Sequence, residues 1–487
     1  MDNNFSVLPV LDQRRAGVLL HPSSLPGGDL GDDALRFIDF LSDTGFTIWQ
    51  CLPLGPTHDD GSPYHALSAH AGNPALISRA RLKSRGWVKN GSGNSLADVL
   101  EEARVRVPAE GAVRQEYEAY EQRESAWLDD YALFVVLRER HRHTPWWMWP
   151  APLRDRNEKA LAETRHAQAA AIEAVRFEQF VFDRQWDELH RHARARGVRL
   201  FGDLPIFVAH DSADVWANRS LFRLDAEGQP TVVAGVPPDY FSAEGQRWGN
   251  TLYDWQAIEA GGFGWWLARL RTELRRFDLL RVDHFRGFEA CWEIPAGEPT
   301  AIGGRWVKVP GEQLFECIHQ AFGALPLVAE DLGHITPEVN ALRRRFGLPG
   351  MRVLQFAFDG DAGNPYLPHA HTPDSVVYTG THDNDTTRSW FELLPAATQL
   401  RVMNYLGYPT ESMPLPLIRS ALASVARLAI LPMPDVLQLG RGHRLNTPGT
   451  TAGNWRWRFE WEWLTPEIAH WFGHALALYG RKVTDEG

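Results

Sequence analysis

The chain has 487 residues, and 44% of them are hydrophobic, which is enough for a large buried core. Lys and Arg number 50 and Asp and Glu number 61, so the formal net charge is −11. An acidic chain without a Lys- or Arg-rich run is a poor candidate for binding nucleic acid or a membrane surface. No obligate protein partner is indicated either.

The cysteines and the N-terminal residues indicate the compartment. Cys51, Cys291 and Cys317 are widely spaced and form no CxxC pair, which excludes a disulfide framework and a CxxC zinc site. No signal-peptide pattern opens the chain, and no apolar run reaches the roughly 18 residues that a membrane span needs. A cytoplasmic protein is therefore expected.

Short apolar runs alternate with longer helical patterns, which is typical of βαβ units and a parallel sheet. The predicted strands are, in chain order, Ala16–Leu20, Thr47–Leu52, Val198–Phe201, Leu279–Val282, Leu325–Ala329, Val353–Phe358, Ser375–Tyr378 and Leu428–Leu431. Eight such units predict an α/β fold, a (β/α)8 TIM barrel with helical insertions. An open, doubly wound sheet is the alternative, because a strand count does not show closure.

Two long stretches interrupt the alternation. Residues 79–172 are charged and helix-rich without a clear buried strand, so they are predicted to form a helical insertion subdomain after the second strand. Residues 207–253 are rich in Gly, Pro and aromatic residues, and they are predicted to be a loop-rich insertion that covers the barrel mouth, where active sites of this fold lie. The whole chain, residues 1–487, is otherwise predicted to be one barrel.

Acidic residues follow several predicted strands directly. Asp283, Glu330 and Asp383 stand at such strand ends, 47 and 53 residues apart, and Asp203 follows another. Because all strands of a barrel end at one mouth, the acids are expected to converge there. One strand-end Asp alone is usually a helix cap or a turn residue, so the joint occurrence carries the prediction. Converging carboxylates suit cleavage of a glycosidic bond, in which one attacks the anomeric carbon and another protonates the departing oxygen.

The neighbours of these acids suggest different protonation states. Arg281 lies two residues before Asp283 on the same side of the strand, so its fixed charge favours the ionised form of that carboxyl. Glu330 follows an apolar run, where burial and nearby like charges are expected to raise its pKa and keep it protonated. His284 and His382 adjoin the acids, but no metal-ligand spacing accompanies them, so no metal is expected.

Several motifs resemble those of known enzymes. RVDHFRG, VAEDLG and GTHDND, in this order and spacing, resemble the catalytic motifs of the α-amylase clan. HPSSLPG, SPY, SAHAGNP, GDLPIFVA, GVPPDYFSAEGQRWGN and NTPGTTAGNWRWR are similar to motifs of the amylomaltases, glycoside hydrolase family 77. The likeness implies a 4-α-glucanotransferase, which transfers a segment of an α-1,4-glucan, with retention, to the 4-hydroxyl of an acceptor sugar. It implies neither a cofactor nor a metal.

The resemblance also implies roles for matching residues. Asp283 would be the nucleophile, Glu330 the acid and then the base, and Asp383 the residue that stabilises the oxocarbenium-like transition state. The residues implied to bind or shape the substrate are Arg281, His382, His284, Asp203, Tyr64, Trp248 and Asn454.

A sugar, not water, must resolve the covalent ester, so water has to be excluded while the acceptor is held in line. The loop Val236–Trp248, with Tyr240 and Phe241 at its centre, is predicted to be a lid over the glucan. Two other functions stay open: α-amylase-like hydrolysis by the same acids, and glucan binding without catalysis. The lid and acceptor motifs favour transfer, and the presence of all three acids argues against a protein that only binds.

Overall fold

The computed structural model describes residues 10–89, 95–106, 111–238 and 242–482. Within these ranges the strands are β1 Arg15–Leu19, β2 Ile48–Gln50, β3 Arg199–Pro205, β4 Val232–Val236, β5 Gln246–Thr251, β6 Leu279–Asp283, β7 Ala290–Pro295, β8 Arg305–Lys308, β9 Leu327–Ala329, β10 Gly350–Val353, β11 Ser375–Tyr378 and β12 Leu428–Pro432. The helices of the same ranges are α1 Asp32–Thr44, α2 Arg79–Ser84, α3 Leu96–Arg106, α4 Gly111–Arg140, α5 Ala151–Arg154, α6 Glu158–Ala167, α7 Ala169–Ala195, α8 Ala213–Ala217, α9 Trp255–Ala260, α10 Gly264–Arg276, α11 Gly311–Phe322, α12 Pro337–Arg345, α13 Thr387–Leu393, α14 Ala396–Tyr405, α15 Leu415–Ala423, α16 Met433–Val436 and α17 Pro466–Leu478. None of these helices is both long and apolar enough to cross a membrane.

Eight strands form one parallel sheet in the order β10-β11-β12-β1-β2-β3-β6-β9. The N–H of Ala329, in β9, donates to the carbonyl of Pro349, next to β10, at 2.8 Å and joins the two edges of the sheet. The predicted (β/α)8 barrel is confirmed, and the open sheet is wrong.

The sixth predicted strand is displaced along the chain, whereas the other seven overlap the observed strands and differ from them by no more than four residues at either end. The sixth strand is β10, Gly350–Val353, whereas the prediction placed it at Val353–Phe358; residues Leu354–Phe356 form a short 3-10 turn instead. The prediction failed because Leu354 and Phe358 are buried outside the sheet, so the apolar run continues past the strand end. A continuous apolar run alone does not distinguish a strand from a buried turn.

The barrel interior changes from apolar to polar towards the carboxyl ends of the strands. Its apolar part is formed by Ile48, Phe201, Leu279, Val328, Met351, Val376 and Leu428. Above it, the buried hydroxyl of Tyr378 donates to Gln50 Oε1 at 3.0 Å. Asp203 and Arg281 lie in register on β3 and β6, two residues after Phe201 and Leu279, and so point the same way into the mouth. The apolar layers hold the polar end of the barrel in place.

Residues between β2 and β3 include the long helices α4 and α7. Buried glutamines of α7 fasten the preceding loop: Gln179 exchanges hydrogen bonds with the backbone of Gly72 at 2.8 and 2.9 Å, and Gln185 does the same with Ser78 at 2.8 and 3.0 Å. This loop continues from the SPY segment, so α7 supports the part of the chain that carries Tyr64.

A second, antiparallel sheet has the order β5-β4-β7-β8. The predicted loop-rich stretch 207–253 therefore contains two strands, which its Gly and Pro content concealed. A Cβ at Gly235 would lie 2.2 Å from the carbonyl oxygen of Gln246, so β4 and β5 pair closely only because this residue is glycine. Their partners β7 and β8 come from a later part of the chain, a pairing that local patterns do not reveal.

Candidate active site

Two of the predicted acids stand side by side at the mouth of the barrel. Val282 of β6 pairs with Ala329 of β9, and the next residues are Asp283 and Glu330. The N–H of Glu330 donates to the carbonyl of Val282 at 3.0 Å, which extends the ladder by one bond. Parallel pairing thus brings together two carboxylates that are 47 residues apart in the sequence.

Arg281 bridges two carboxylates at the base of the site. Its Nη1 donates to both oxygens of Asp203 at 2.9 and 2.7 Å, and its Nη2 donates to Asp283 Oδ1 at 2.7 Å. The side chain of Asp203 is fully buried and that of Arg281 is 7% exposed. Burial lowers the pKa of Arg281, but the two aspartates outweigh it and raise that pKa well above its usual range. The guanidinium therefore compensates the charge of Asp283 and fixes its orientation.

Tyr64 approaches the same cluster from the loop after β2. An antiparallel bridge between Thr57 and Ala66 closes this loop into a hairpin. The Tyr64 hydroxyl donates to Asp203 Oδ2 at 2.7 Å, and its ring stacks on the imidazole of His382 at 5.1 Å between centroids. Burial and the charge of Asp203 raise the pKa of Tyr64 well above its usual value, so the phenol stays a donor.

Glu330 accepts two backbone hydrogen bonds, from the N–H of His284 to Oε2 at 2.8 Å and from the N–H of Leu332 to Oε1 at 3.1 Å. His284 adopts a left-handed conformation, φ 50°, directly after β6, and in this turn its N–H bonds the carboxyl of Glu330. Burial raises the pKa of Glu330 to about 8; Arg281 lowers it, and Asp283 and Asp331 raise it further. The carboxyl is therefore mostly protonated at neutral pH, as a proton donor must be.

The third acid lies on the loop between β11 and α13. The side chain of Asp383 is 47% exposed, and its Oδ1 accepts a hydrogen bond from Asn446 Nδ2 at 2.6 Å and lies 3.4 Å from His382 Nε2. The ring of Trp455 is 6.0 Å from that of His382 and 6.0 Å from that of Tyr64. These three rings form an aromatic wall suited to the apolar face of a sugar.

Sequence reasoning missed Asn446, Trp455 and His21. Asn446 and Trp455 belong to the quoted motif NTPGTTAGNWRWR, whose spacing gave no sign of which members reach the acids. His21 is the second residue after β1 and is buried, and burial together with His382 lowers its pKa to about 3, so its ring is neutral. Two signals were available for His21: its position after a predicted strand, and its place as the first residue of the quoted motif HPSSLPG.

The remaining predicted residues occupy different surroundings. Trp248, 39% exposed on β5, meets the His284 ring edge-on at 4.8 Å. The side chain of Asn454 bonds within its own loop, accepting from the N–H of Thr447 and donating to the carbonyl of Thr450, both at 3.0 Å. Tyr240 and Phe241 lie outside the described residues.

The backbone and the ring of His284 have different surroundings. Its backbone N–H donates to Glu330, whereas its side chain is half-buried, and the buried ring atom Nε2 has no hydrogen-bond partner among the described residues. Burial lowers the pKa of the ring to about 4, so it is uncharged. In the same described ranges, no group of three or more His, Cys, Asp or Glu side chains is arranged to hold a metal ion.

Comparison with known proteins agrees with the motifs. The sequence profile of a 4-alpha-glucanotransferase family matches residues 19–465. The chain is 50% identical over 481 residues to the 4-alpha-glucanotransferase of Thermus thermophilus, covering 93% of this chain and 96% of that one. It is 46% identical over 505 residues to the 4-alpha-glucanotransferase of Synechocystis, covering 97% and 99%. An amylomaltase from Streptococcus agalactiae, solved in complex with acarbose, has a TM-score of 0.93 at 34% identity and covers 97% of this chain and 100% of that chain.

The family resemblance inferred from the motifs is therefore confirmed over nearly the full length of the chain. The chain belongs to the 4-α-glucanotransferase family.

Proposed function

We propose that the protein transfers a segment of an α-1,4-glucan to the 4-hydroxyl of glucose or a maltooligosaccharide, with retention, through a covalent glucosyl ester of Asp283. The observation that carries the proposal is the pair of neighbouring carboxyls in different surroundings. Asp283 is ion-paired with Arg281, while burial keeps Glu330 protonated at neutral pH. Retaining glycosidases need one carboxylate and one carboxylic acid on either side of the scissile bond.

In the first step, a carboxylate oxygen of Asp283 attacks C1 of the glucosyl unit and the bond from C1 to the leaving O4 breaks. Glu330 gives its proton to O4, so the leaving glucan departs with a free hydroxyl. The products of the step are a β-linked glucosyl ester and an ionised Glu330. Asp383 and the hydrogen-bonding edge of His382 contact ring hydroxyls and stabilise the positive charge that develops at C1.

In the second step, the 4-hydroxyl of an acceptor attacks C1, the ester bond breaks and its electron pair returns to Asp283. Glu330 accepts the hydroxyl proton and is restored. The negative charge of Asp283 is one cause of the raised pKa of Glu330. Because the ester removes that charge, Glu330 becomes a stronger acid between the two steps, which suits its change from acid to base. The new α-1,4 bond replaces the old one and no water is consumed.

Transfer rather than hydrolysis is supported by the names of the relatives, which are glucanotransferases. We propose that the segment 207–253 covers the active site and limits water, and that residues 79–172 are a helical insertion in a single catalytic barrel. A cytoplasmic location is part of the proposal, since Cys51, Cys291 and Cys317 are free thiols, as is typical of a reducing compartment.

Incubation of the purified protein with maltotriose alone tests the proposal. We expect glucose together with a ladder of longer maltooligosaccharides, with little increase in total reducing ends. Glucose and maltose alone, with reducing ends rising in step, would make the protein a hydrolase. If the folded protein does not convert maltotriose at all, glucan binding without catalysis would be the remaining function.

A further inference from the structure

A buried carboxylate outside the catalytic cluster holds the loop that carries Asp383. Asp435, in α16 directly after β12, is 1% exposed. Its Oδ2 accepts hydrogen bonds from the hydroxyls of Thr379 and Thr387, both at 2.6 Å, and its Oδ1 accepts from the N–H of Thr387 at 2.7 Å. Thr379 follows β11 and Thr387 begins α13, so one carboxylate fastens both ends of the loop 379–387.

The same loop is also held by a hydrogen bond from the residue Gln355, which follows β10, and by hydrogen bonds within the loop. Gln355, after β10, donates from Nε2 to the carbonyl of Asp385 at 2.9 Å. A Cβ at Gly380 would lie 2.8 Å from Gln355 Nε2, so a larger residue there would displace this amide group. Within the loop, Asn384 Oδ1 accepts from both the N–H and the hydroxyl of Thr381 at 2.9 Å. The loop is thus held at both ends and by internal hydrogen bonds, and it carries the buried His382 and the exposed Asp383.

We propose that Asp435 is a positioning residue for glucan transfer, which sets the place of Asp383 and His382 by holding both ends of their loop. This inference rests on the proposed function. The residue does not contact the proposed reacting atoms and acts only through the loop.

Burying the charged carboxylate of Asp435 costs desolvation free energy, so the residue is not explained by packing alone. Burial raises the pKa of Asp435, and the hydrogen bonds from Thr379 and Thr387, which favour the charged form, offset only part of that rise. An anion accepts from all three donors at once and forces both threonine hydroxyls to point towards it. An amide has only one acceptor oxygen and cannot accept from all three donors, and an apolar side chain would leave all three without this acceptor.

The expected effect falls on the transition state. Asp383 is proposed to stabilise charge that develops only as the glycosidic bond breaks, and a displacement of about 1 Å at such a site costs about 100-fold in rate. Interactions made only in the transition state lower kcat and kcat/KM together and leave KM nearly unchanged. A residue that only stabilises the fold would instead lower the unfolding temperature and leave the kcat of the folded protein intact.

The experiment compares Asp435→Asn, Thr379→Val and Thr379→Ser in the disproportionation of maltotriose. We expect D435N to lower kcat by about 10–100-fold with KM within about threefold of the wild type. T379V removes one of the three donors and should lower kcat by about three- to tenfold, while T379S keeps the hydroxyl and should recover most of that loss.

Asp278→Asn is the matched control. Asp278 precedes β6 at the opposite end of the barrel, where it accepts from the N–H of Leu200 at 2.9 Å and bonds His190 and Arg194. D278N should lower the unfolding temperature and keep kcat within about twofold.

The inference is overturned if folded D435N keeps the wild-type kcat, if D435N and D278N lower kcat equally, or if T379V and T379S have the same kcat. The two threonine variants decide the matter even where D435N does not fold. Failure of the wild type to disproportionate maltotriose would contradict the proposed function instead, so the two failures are distinguishable.

Discussion

Arg281 and Asp203 face each other in register on β6 and β3, with Arg281 Nη1 2.9 and 2.7 Å from the two carboxylate oxygens. The second nitrogen, Nη2, is thereby directed to Asp283 Oδ1 at 2.7 Å. The pairing with Asp203 thus determines where the guanidinium meets Asp283. A planar guanidinium can bridge two carboxylates in this way, whereas a lysine ammonium is a single point charge.

Replacement of Arg281 by Met should destabilise the fold strongly. It leaves Asp203, whose side chain is fully buried, without its cation. Removal of one partner of a buried ion pair typically costs about 3–5 kcal/mol. The double variant R281M/D203N should recover part of that loss, because the orphaned charge is gone. Urea denaturation of the wild type, both single variants and the double variant gives the coupling energy. Strict additivity of the two single changes would contradict this interpretation.

The pH dependence of kcat/KM should have an alkaline limb set by Glu330. The acid works in its protonated form, and burial raises its pKa to about 8. Glu330 should be almost fully protonated well below that pH, and activity should fall about tenfold per pH unit well above it. A rate profile with maltotriose measures this limb. With α-maltosyl fluoride, whose leaving group needs no proton, the limb should weaken or vanish. An identical limb for both donors would assign it to another group.

Replacement of Glu330 by Gln should change stability in a pH-dependent way. The folded-state pKa of about 8 lies above the usual value near 4.3, so between these pH values the folded state binds more protons than the unfolded state. The contribution of Glu330 to stability therefore falls as pH rises through this window. Gln cannot ionise and escapes the loss. Thermal unfolding of both proteins at pH 5 and pH 8.5 should show E330Q gaining on the wild type at the higher pH. A difference in unfolding temperature that is independent of pH would rule the linkage out.

The predicted lid can be tested through the partition of the ester between sugar and water. Replacing Tyr240 and Phe241 together by Ala should raise the ratio of hydrolysis to transfer, because water would reach the glucosyl ester more readily. The ratio is measured from free reducing ends and from the maltooligosaccharide ladder with maltotriose. Tyr408→Ala is the control, since this tyrosine is 58% exposed on the loop after α14. An unchanged ratio of hydrolysis to transfer in Y240A/F241A would contradict the prediction that this segment is a lid.

The placement of Asp283 and Glu330 could be predicted from the sequence because a barrel directs all strand ends to one mouth. The contacts that orient the acidic side chains and their loops could not be predicted in the same way. The left-handed turn at His284 directs its N–H to Glu330, and Asp435 lies 48 residues beyond Thr387 in the sequence, yet meets it at 2.6 Å. Such contacts join loops whose local patterns are independent of each other.

The second sheet illustrates the same limit. Strands β4 and β5 contain Gly235 and Gly249, which interrupt the alternation that marks a strand. Their pairing depends on β7, which follows β6 in the sequence. Repeated βα units therefore indicate the barrel from the sequence, whereas a sheet made of distant segments leaves no such local pattern.

The most direct test of the account is to trap the ester on Asp283. An α-maltosyl fluoride with a second fluorine at C5 of the reducing-end ring carries a good leaving group but destabilises the oxocarbenium-like transition states, so the ester accumulates. We expect one 5-fluoromaltosyl adduct on the peptide that contains Asp283, found by mass spectrometry, absent in D283N and released by added maltose. An adduct on Glu330 or Asp383, or turnover of the fluoride with inversion at C1 and no adduct, would contradict it.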